Sequence, residues 1–125
     1  MVSDVLLYVG SAAITIWGIA HIIPTKSVVK GFGAISTDNQ RIITQEWIAE
    51  GLALCFIGLL VLSITITSPS DDPVAVTVYR ACAGMLVAMA VLTSLTGART
   101  SVLPIKICPF VKTTVAILFL VASMI

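Results

Sequence analysis

The sequence predicts an all-α integral membrane protein whose four transmembrane helices form an antiparallel bundle, a single domain of residues 1–125. Three observations predict this fold: the composition, the long apolar stretches and the placement of the basic residues. Of the 125 residues, 58% are hydrophobic and 10% are charged, which is far from the composition of a soluble protein. Four spans of about 20 residues each would use most of the chain and leave short connections.

The expected spans cover residues of about 5–23, 43–66, 73–95 and 109–125. Pro24 ends the first span. We expect this span to be a transmembrane helix and not a removable signal peptide, because the sequence has neither a positive N-terminal region nor a small-residue cleavage site. Residues 37–40 (Thr-Asp-Asn-Gln) have capping-box spacing, so the second helix should begin before its apolar part. Pro73 suits the first position of the third helix and Gly97 its end. The fourth helix is predicted to begin near Pro109, where it is barely long enough to span unless it begins earlier or the bilayer thins locally.

The basic residues predict the orientation of the helices. The connection after the first span and the region leading into the fourth span carry three each: Lys26, Lys30, Arg41, Arg99, Lys106 and Lys112. The opposite end carries Asp4, Asp71 and Asp72 and no Lys or Arg outside the membrane. Because cytoplasmic connections are enriched in Lys and Arg, the two basic connections are predicted to be cytoplasmic and both termini to lie outside.

Ionisable side chains at membrane depth are the first candidates for a functional site, because each is costly unless it is paired or hydrated. Most of them fall at the predicted cytoplasmic end, and we consider six as ligand-binding or proton-carrying residues: His21, Glu46, Glu50, Arg99, Lys106 and Lys112. Glu46 and Glu50 lie one helical turn apart on the same face. The alternative is structural, with Glu46 solvated and Glu50 paired with Lys112, Arg99 or His21.

Arg80 is the candidate nearer the outer end. It snorkels toward the outer surface, pairs with Asp4, Asp71 or Asp72, or contacts an anion in an outward-facing vestibule. Cys82, Met85 and Met89 follow helical spacing, and such soft sulfur ligands suit Cu(I). The same stripe is typical of an ordinary packed helix, so the sequence leaves metal binding open.

Small residues form stripes on three of the predicted helices. They are Ser11, Thr15 and Gly18 on the first, Gly51, Cys55 and Gly58 on the second, and Thr77, Ala81, Gly84 and Ala88 on the third. Such stripes let helices approach closely. The sequence alone does not separate contacts inside the bundle from a homodimer face.

Three stretches carry a resemblance to a known family. They are residues 16–26 (Ile-Trp-Gly-Ile-Ala-His-Ile-Ile-Pro-Thr-Lys), residues 31–51, which end in Glu-Trp-Ile-Ala-Glu-Gly, and residues 97–109, which end in Leu-Pro-Ile-Lys-Ile-Cys-Pro. The chain resembles a family of small bacterial four-helix integral membrane proteins without an assigned activity. The resemblance implies a multi-pass protein of the bacterial inner membrane and brings no catalytic residue with it.

The leading hypothesis is binding or transport of a small molecule or ion through a polar pocket at the cytoplasmic side. A structural or assembly subunit of a larger membrane complex is the first alternative, and an intramembrane enzyme acting on a lipid or quinone is the second. The expected partners are the lipid bilayer and either a second copy or a larger complex. A net charge of +1 without a basic cluster gives no reason to expect nucleic acid, and no motif indicates a cofactor or a catalytic residue.

Overall fold

The computed structural model describes residues 1–125 and is entirely helical, without strands. Its elements are α1 (Val2–Ile22), α2 (Thr25–Lys30), α3 (Thr37–Thr67), α4 (Pro73–Leu95), a 3-10 turn (Gly97–Arg99) and α5 (Leu103–Ala122). The four long helices α1, α3, α4 and α5 are long and apolar enough to cross a membrane. The prediction of an all-helical protein with four such helices is therefore confirmed.

Short side chains cap two of the long helices. At α3 the cap is Ser36, one residue before the predicted capping box, and its hydroxyl accepts from the backbone N–H of Asn39 at 3.1 Å. At α4 the Asp72 carboxylate accepts from the backbone N–H groups of Val74 and Ala75 at 2.9 and 3.1 Å. Both caps satisfy N–H groups that have no partner inside the helix.

The last helix differs from the prediction. It begins at Leu103 rather than near Pro109, and it ends at Ala122. Pro104 occupies one of the first helical positions, where the missing N–H costs nothing, and Pro109 is accommodated inside the helix. With 20 residues at about 1.5 Å per residue, α5 is roughly 30 Å long and matches the thickness of a hydrocarbon core.

The long helices form a ring in which each neighbour runs antiparallel to the next. Helix α1 packs on α3 and on α5, and α5 packs on α4, whereas α3 and α4 have the smallest contact of any two neighbours in the ring. The shared core holds large side chains that are fully buried, namely Leu7, Ile14, Leu54, Leu86 and Phe119. The thin contact between α3 and α4 leaves room between them away from their connecting turn.

Helices α1 and α3 approach so closely that their backbones nearly touch. A Cβ placed on Gly18 would lie 2.8 Å from the Gly51 carbonyl oxygen, and one on Gly58 would lie 2.8 Å from the Ser11 carbonyl oxygen. The small residues on α1 and α3 therefore form a contact inside the bundle. The third stripe differs, because all four of its residues on α4 are exposed.

The outward faces of the long helices are apolar. Large exposed side chains occur on every one of them, including Ile16, Phe56, Leu92 and Phe110. A water-soluble protein rarely shows so much contiguous apolar surface, whereas lipid chains solvate it without cost. This surface and the four long apolar helices indicate a multi-pass membrane protein.

Candidate functional site

The candidate site lies at one end of the bundle, where α1 and α4 finish and α3 and α5 begin. We call it the basic end, because its surface carries Lys26, Lys30, Arg41, Arg99 and Lys106, all of them exposed. Three of the predicted residues meet just inside this end, each from a different helix: His21 from α1, Glu50 from α3 and Lys112 from α5.

Lys112 is the centre of this group. Its side chain is 0% exposed, and its ammonium donates to Glu50 Oε1 and, at 2.9 Å, to Thr93 Oγ1. A buried ammonium is tolerated only with a charged partner and further hydrogen bonds. The two bonds connect α5 to α3 and to α4, and they cross the gap where those two helices contact each other least.

Glu50 is paired but not sealed off. One oxygen accepts from Lys112, while the other, Oε2, lies 3.7 Å from His21 Nε2. Its side chain is 33% exposed. Glu50 therefore forms the ion pair with Lys112 that the structural alternative predicted, and part of its carboxylate remains accessible.

His21 is held against a tryptophan. Its ring stacks on that of Trp47, with 4.0 Å between the centroids and 15° between the planes. The Trp47 indole N–H donates to the His21 carbonyl oxygen at 2.7 Å. His21 is 9% exposed, and its buried Nε2 has no hydrogen-bond partner. Nearly all buried polar atoms in proteins are paired, so this nitrogen marks an unfilled position.

A cavity of about 700 Å³ opens beside these residues. Its lining includes Trp17 and His21 from α1, Glu46, Trp47 and Glu50 from α3, and Cys108 from α5. Helix α4 supplies an apolar wall that includes Met85, Met89 and Leu92. The volume falls in the range of small-molecule sites, and a mostly apolar lining with a few polar groups is their usual character.

The remaining predicted residues divide between the cavity and the surface. Glu46 is exposed and lines the cavity, whereas Arg99 and Lys106 are exposed and do not line it. At the other end, Arg80 donates to the side chain and the backbone carbonyl of Ser123 at 3.2 and 3.1 Å. Arg80 therefore caps the end of α5 and does not pair with Asp4, Asp71 or Asp72.

The sulfur residues are split as well. Met85 and Met89 line the cavity, but Cys82 belongs to the apolar core. Cys108 accepts a hydrogen bond from the Trp17 indole N–H at 3.3 Å. All three cysteines are free, and no group of three or more His, Cys, Asp and Glu side chains is arranged to hold a metal ion.

Sequence reasoning missed both tryptophans and Thr93. A usable signal was present: Trp17 lies four residues before His21 and Trp47 three before Glu50, and such spacings place residues on one helical face. Thr93 had no comparable signal, because only the packing of α4 on α5 brings its hydroxyl to Lys112.

No protein-family model, no curated protein and no solved structure matches the chain. The cavity and the His21, Glu50 and Lys112 group are the features of the chain that point to a function.

Proposed function

We propose that the protein binds a small molecule or ion in the cavity at the basic end and carries it across the membrane. In this proposal the chain sits in a bacterial inner membrane, with the basic end in the cytoplasm and both termini outside. The observation that carries the proposal is a partly exposed carboxylate, Glu50, held by a buried lysine at the wall of a mostly apolar cavity.

The position of Glu50 supports a binding role. A carboxylate that serves only as the counter-ion of a buried lysine does not have to reach a cavity. Glu50 instead keeps one oxygen toward His21 and a third of its side chain exposed. A ligand that engages this carboxylate competes with Lys112 for it.

The helix arrangement supports movement as well as binding. The hydrogen bonds that Lys112 of α5 donates to Glu50 and to Thr93 connect α3 and α4 through α5. They do so at the side of the ring where α3 and α4 have little contact of their own. A ligand that weakens the Glu50 bond therefore loosens the contact between the α1–α3 pair and the α4–α5 pair. Such coupling between binding and helix separation is what a carrier requires, because a ligand shifts an equilibrium only by binding one state better.

A cavity-filling variant tests the proposal without disturbing the ion pair. Ala49 lines the cavity and is exposed, so Ala49→Phe should occupy the cavity while the bundle folds. Ala12→Phe, at an exposed α1 position outside the lining, is the matched control. Both variants and the wild type are purified in mild detergent and screened by thermal shift against metal ions, inorganic anions, amines, carboxylic acids, quinones and lipids.

We expect at least one class of compound to raise the melting temperature of the wild type and of Ala12→Phe but not of Ala49→Phe, because a ligand that binds only the folded state stabilises it by mass action. A screen in which Ala49→Phe responds like the wild type to every compound would refute binding in this cavity.

One observation favours a structural or assembly subunit as the second candidate. The exposed α4 stripe is the kind of surface on which another helix packs, and a Cβ on Gly84 would meet no atom within 4 Å. Isolation in mild detergent separates the two functions. Stoichiometric co-purification of other chains favours the subunit, whereas a lone monomer or homodimer counts against it.

A further inference from the structure

We propose that the ligand of the cavity is an amphiphilic organic cation, with its positive group beside Glu46 and Glu50 and its apolar part against α4. This inference rests on the proposed function and specifies the chemical class of its ligand. It follows from the charges, the aromatic rings and the unpaired nitrogen at the cavity wall.

The charges that line the cavity are acidic. Glu46 and Glu50 are in the lining, together with His21, and no Lys or Arg is. Lys112 is buried outside the lining, and its ammonium is paired with Glu50. The other basic residues of this end are exposed and also lie outside the lining. A cation therefore meets an uncompensated carboxylate at Glu46 and a partly exposed one at Glu50. An anion finds no basic partner in the cavity.

The aromatic residues add a second attraction for a cation. Trp17 and Trp47 both line the cavity, and the face of an indole ring binds ammonium groups better than any other side-chain ring. The indole N–H groups already donate to Cys108 and to the His21 carbonyl. Because these donors are occupied, the rings contribute aromatic surface and not hydrogen bonds to a ligand, and one face of the Trp47 ring is already covered by His21.

His21 Nε2 and Glu50 Oε2 supply an independent observation. They lie 3.7 Å apart, and the nitrogen is more than nine-tenths buried with its side chain and has no partner. A positively charged N–H group that enters the cavity at this point can donate to either atom. Hydrogen bonds to an ionised group are stronger than neutral ones, so a cationic donor satisfies this position better than a neutral one.

The α4 wall fits the remainder of such a ligand. Met85, Met89 and Leu92 of α4 line the same cavity as the carboxylates of α3. Methionine side chains adapt to ligands of different shapes because they are unbranched and polarizable. The charged side of the cavity is therefore on α3 and its adaptable apolar side is on α4, as an amphiphilic cation requires.

Intrinsic fluorescence reports on this site selectively, because the chain has two tryptophans and both line the cavity. The purified protein is titrated with tetraphenylphosphonium chloride, a hydrophobic cation without an N–H group, which tests the charge and the apolar wall and not the hydrogen bond to His21 Nε2. Parallel titrations use sodium tetraphenylborate, an anion of nearly the same size and shape, and the neutral triphenylphosphine oxide. The same titrations on Ala49→Phe measure the signal that arises from partition into detergent.

We expect a saturable change with tetraphenylphosphonium that Ala49→Phe abolishes, and no such change with the borate. Glu46→Gln should raise the Kd for the phosphonium by roughly tenfold, equivalent to about 1.4 kcal/mol of binding free energy. Glu46 is exposed and outside the Lys112 pair, so this variant should fold. Asp38→Asn is the matched control, because Asp38 is an exposed α3 carboxylate outside the lining, and its Kd should equal that of the wild type.

Two results would overturn the proposal that the ligand is a cation. One is saturable binding of the borate or the oxide at least as tight as that of the phosphonium, abolished in Ala49→Phe; the cavity would then bind ligands, as proposed above, but without preference for a cation. The other is the lack of any saturable change with the phosphonium. In that case the thermal-shift comparison of the wild type with Ala49→Phe decides separately whether the proposed function also fails.

Discussion

At the scale of single residues, the two members of the ion pair are not equivalent. The Lys112 side chain is fully buried, whereas that of Glu50 is 33% exposed in the cavity. Removal of one partner leaves the other without compensation, and the free-energy cost depends on how far the remaining charge is from water. The remaining ammonium is therefore more costly than the remaining carboxylate.

This difference predicts an order of stabilities. Glu50→Gln should lower the free energy of unfolding by about 3 kcal/mol, because it leaves an uncompensated buried ammonium, and Lys112→Met by only roughly half as much. The double variant should be more stable than Glu50→Gln alone, since both charges are then gone. Reversible unfolding in mixed micelles, followed by far-UV circular dichroism, measures all three.

The opposite order, with Lys112→Met the less stable single variant, would show that Glu50 depends on its lysine more than the exposure of its side chain indicates. Lys106→Met serves as the control, because Lys106 is exposed at the same end and has no ion-pair partner. Its free energy of unfolding should stay close to that of the wild type.

At the scale of helices, the small-residue stripes differ in what they contact. A Cβ on Gly58 would lie 2.8 Å from the backbone carbonyl oxygen of Ser11, so Gly58→Ala must push α1 and α3 apart. Overpacking of this kind costs about 1–3 kcal/mol. Gly84→Ala meets open space and should be neutral or stabilising by up to about 1 kcal/mol, because alanine favours a helix more than glycine does. Parallel unfolding measurements on the two variants test this contrast, and equal losses would contradict the assignment of the α1–α3 contact.

Helices were predictable from sequence where local signals were strong. Pro24 after α1 and the Asp72-Pro73 pair before α4 mark boundaries that the structure reproduces closely. The predicted start of α5 near Pro109 was wrong, because a proline inside a helix gives the same local sequence signal as a proline at a helix start. The structure shows that Pro109 lies inside a longer helix. The stripes predicted close helix contacts, but the choice of α1 and α3 as partners depends on the packing of the whole bundle.

At the scale of the whole molecule, the convergence of His21, Glu50 and Lys112 was partly predictable. An antiparallel bundle with short connections places the end of the first span and the starts of the second and fourth at one depth, which brings scarce charges together. The cavity was not predictable. It arises because α3 and α4 contact each other little, and that separation depends on how both helices pack against the rest of the bundle.

The orientation of the bundle is a prediction at the same scale. The basic connections should be cytoplasmic, because translocation of Lys and Arg is disfavoured whereas Asp and Glu have little influence. Single cysteines introduced by Ser27→Cys at the basic end and Asp71→Cys at the opposite end test this, since both positions are exposed. A membrane-impermeant maleimide applied to intact cells should label Asp71→Cys, and Ser27→Cys only after permeabilisation.

The unmodified chain controls for its own thiols, of which Cys82 and Cys108 are buried and Cys55 is partly buried. If Ser27→Cys is labelled in intact cells and Asp71→Cys only after permeabilisation, the bundle is inverted and the cavity opens toward the outside. The cation proposal would survive that result, because it depends on the lining of the cavity. The direction from which a ligand first reaches Glu46 and Glu50 would be reversed.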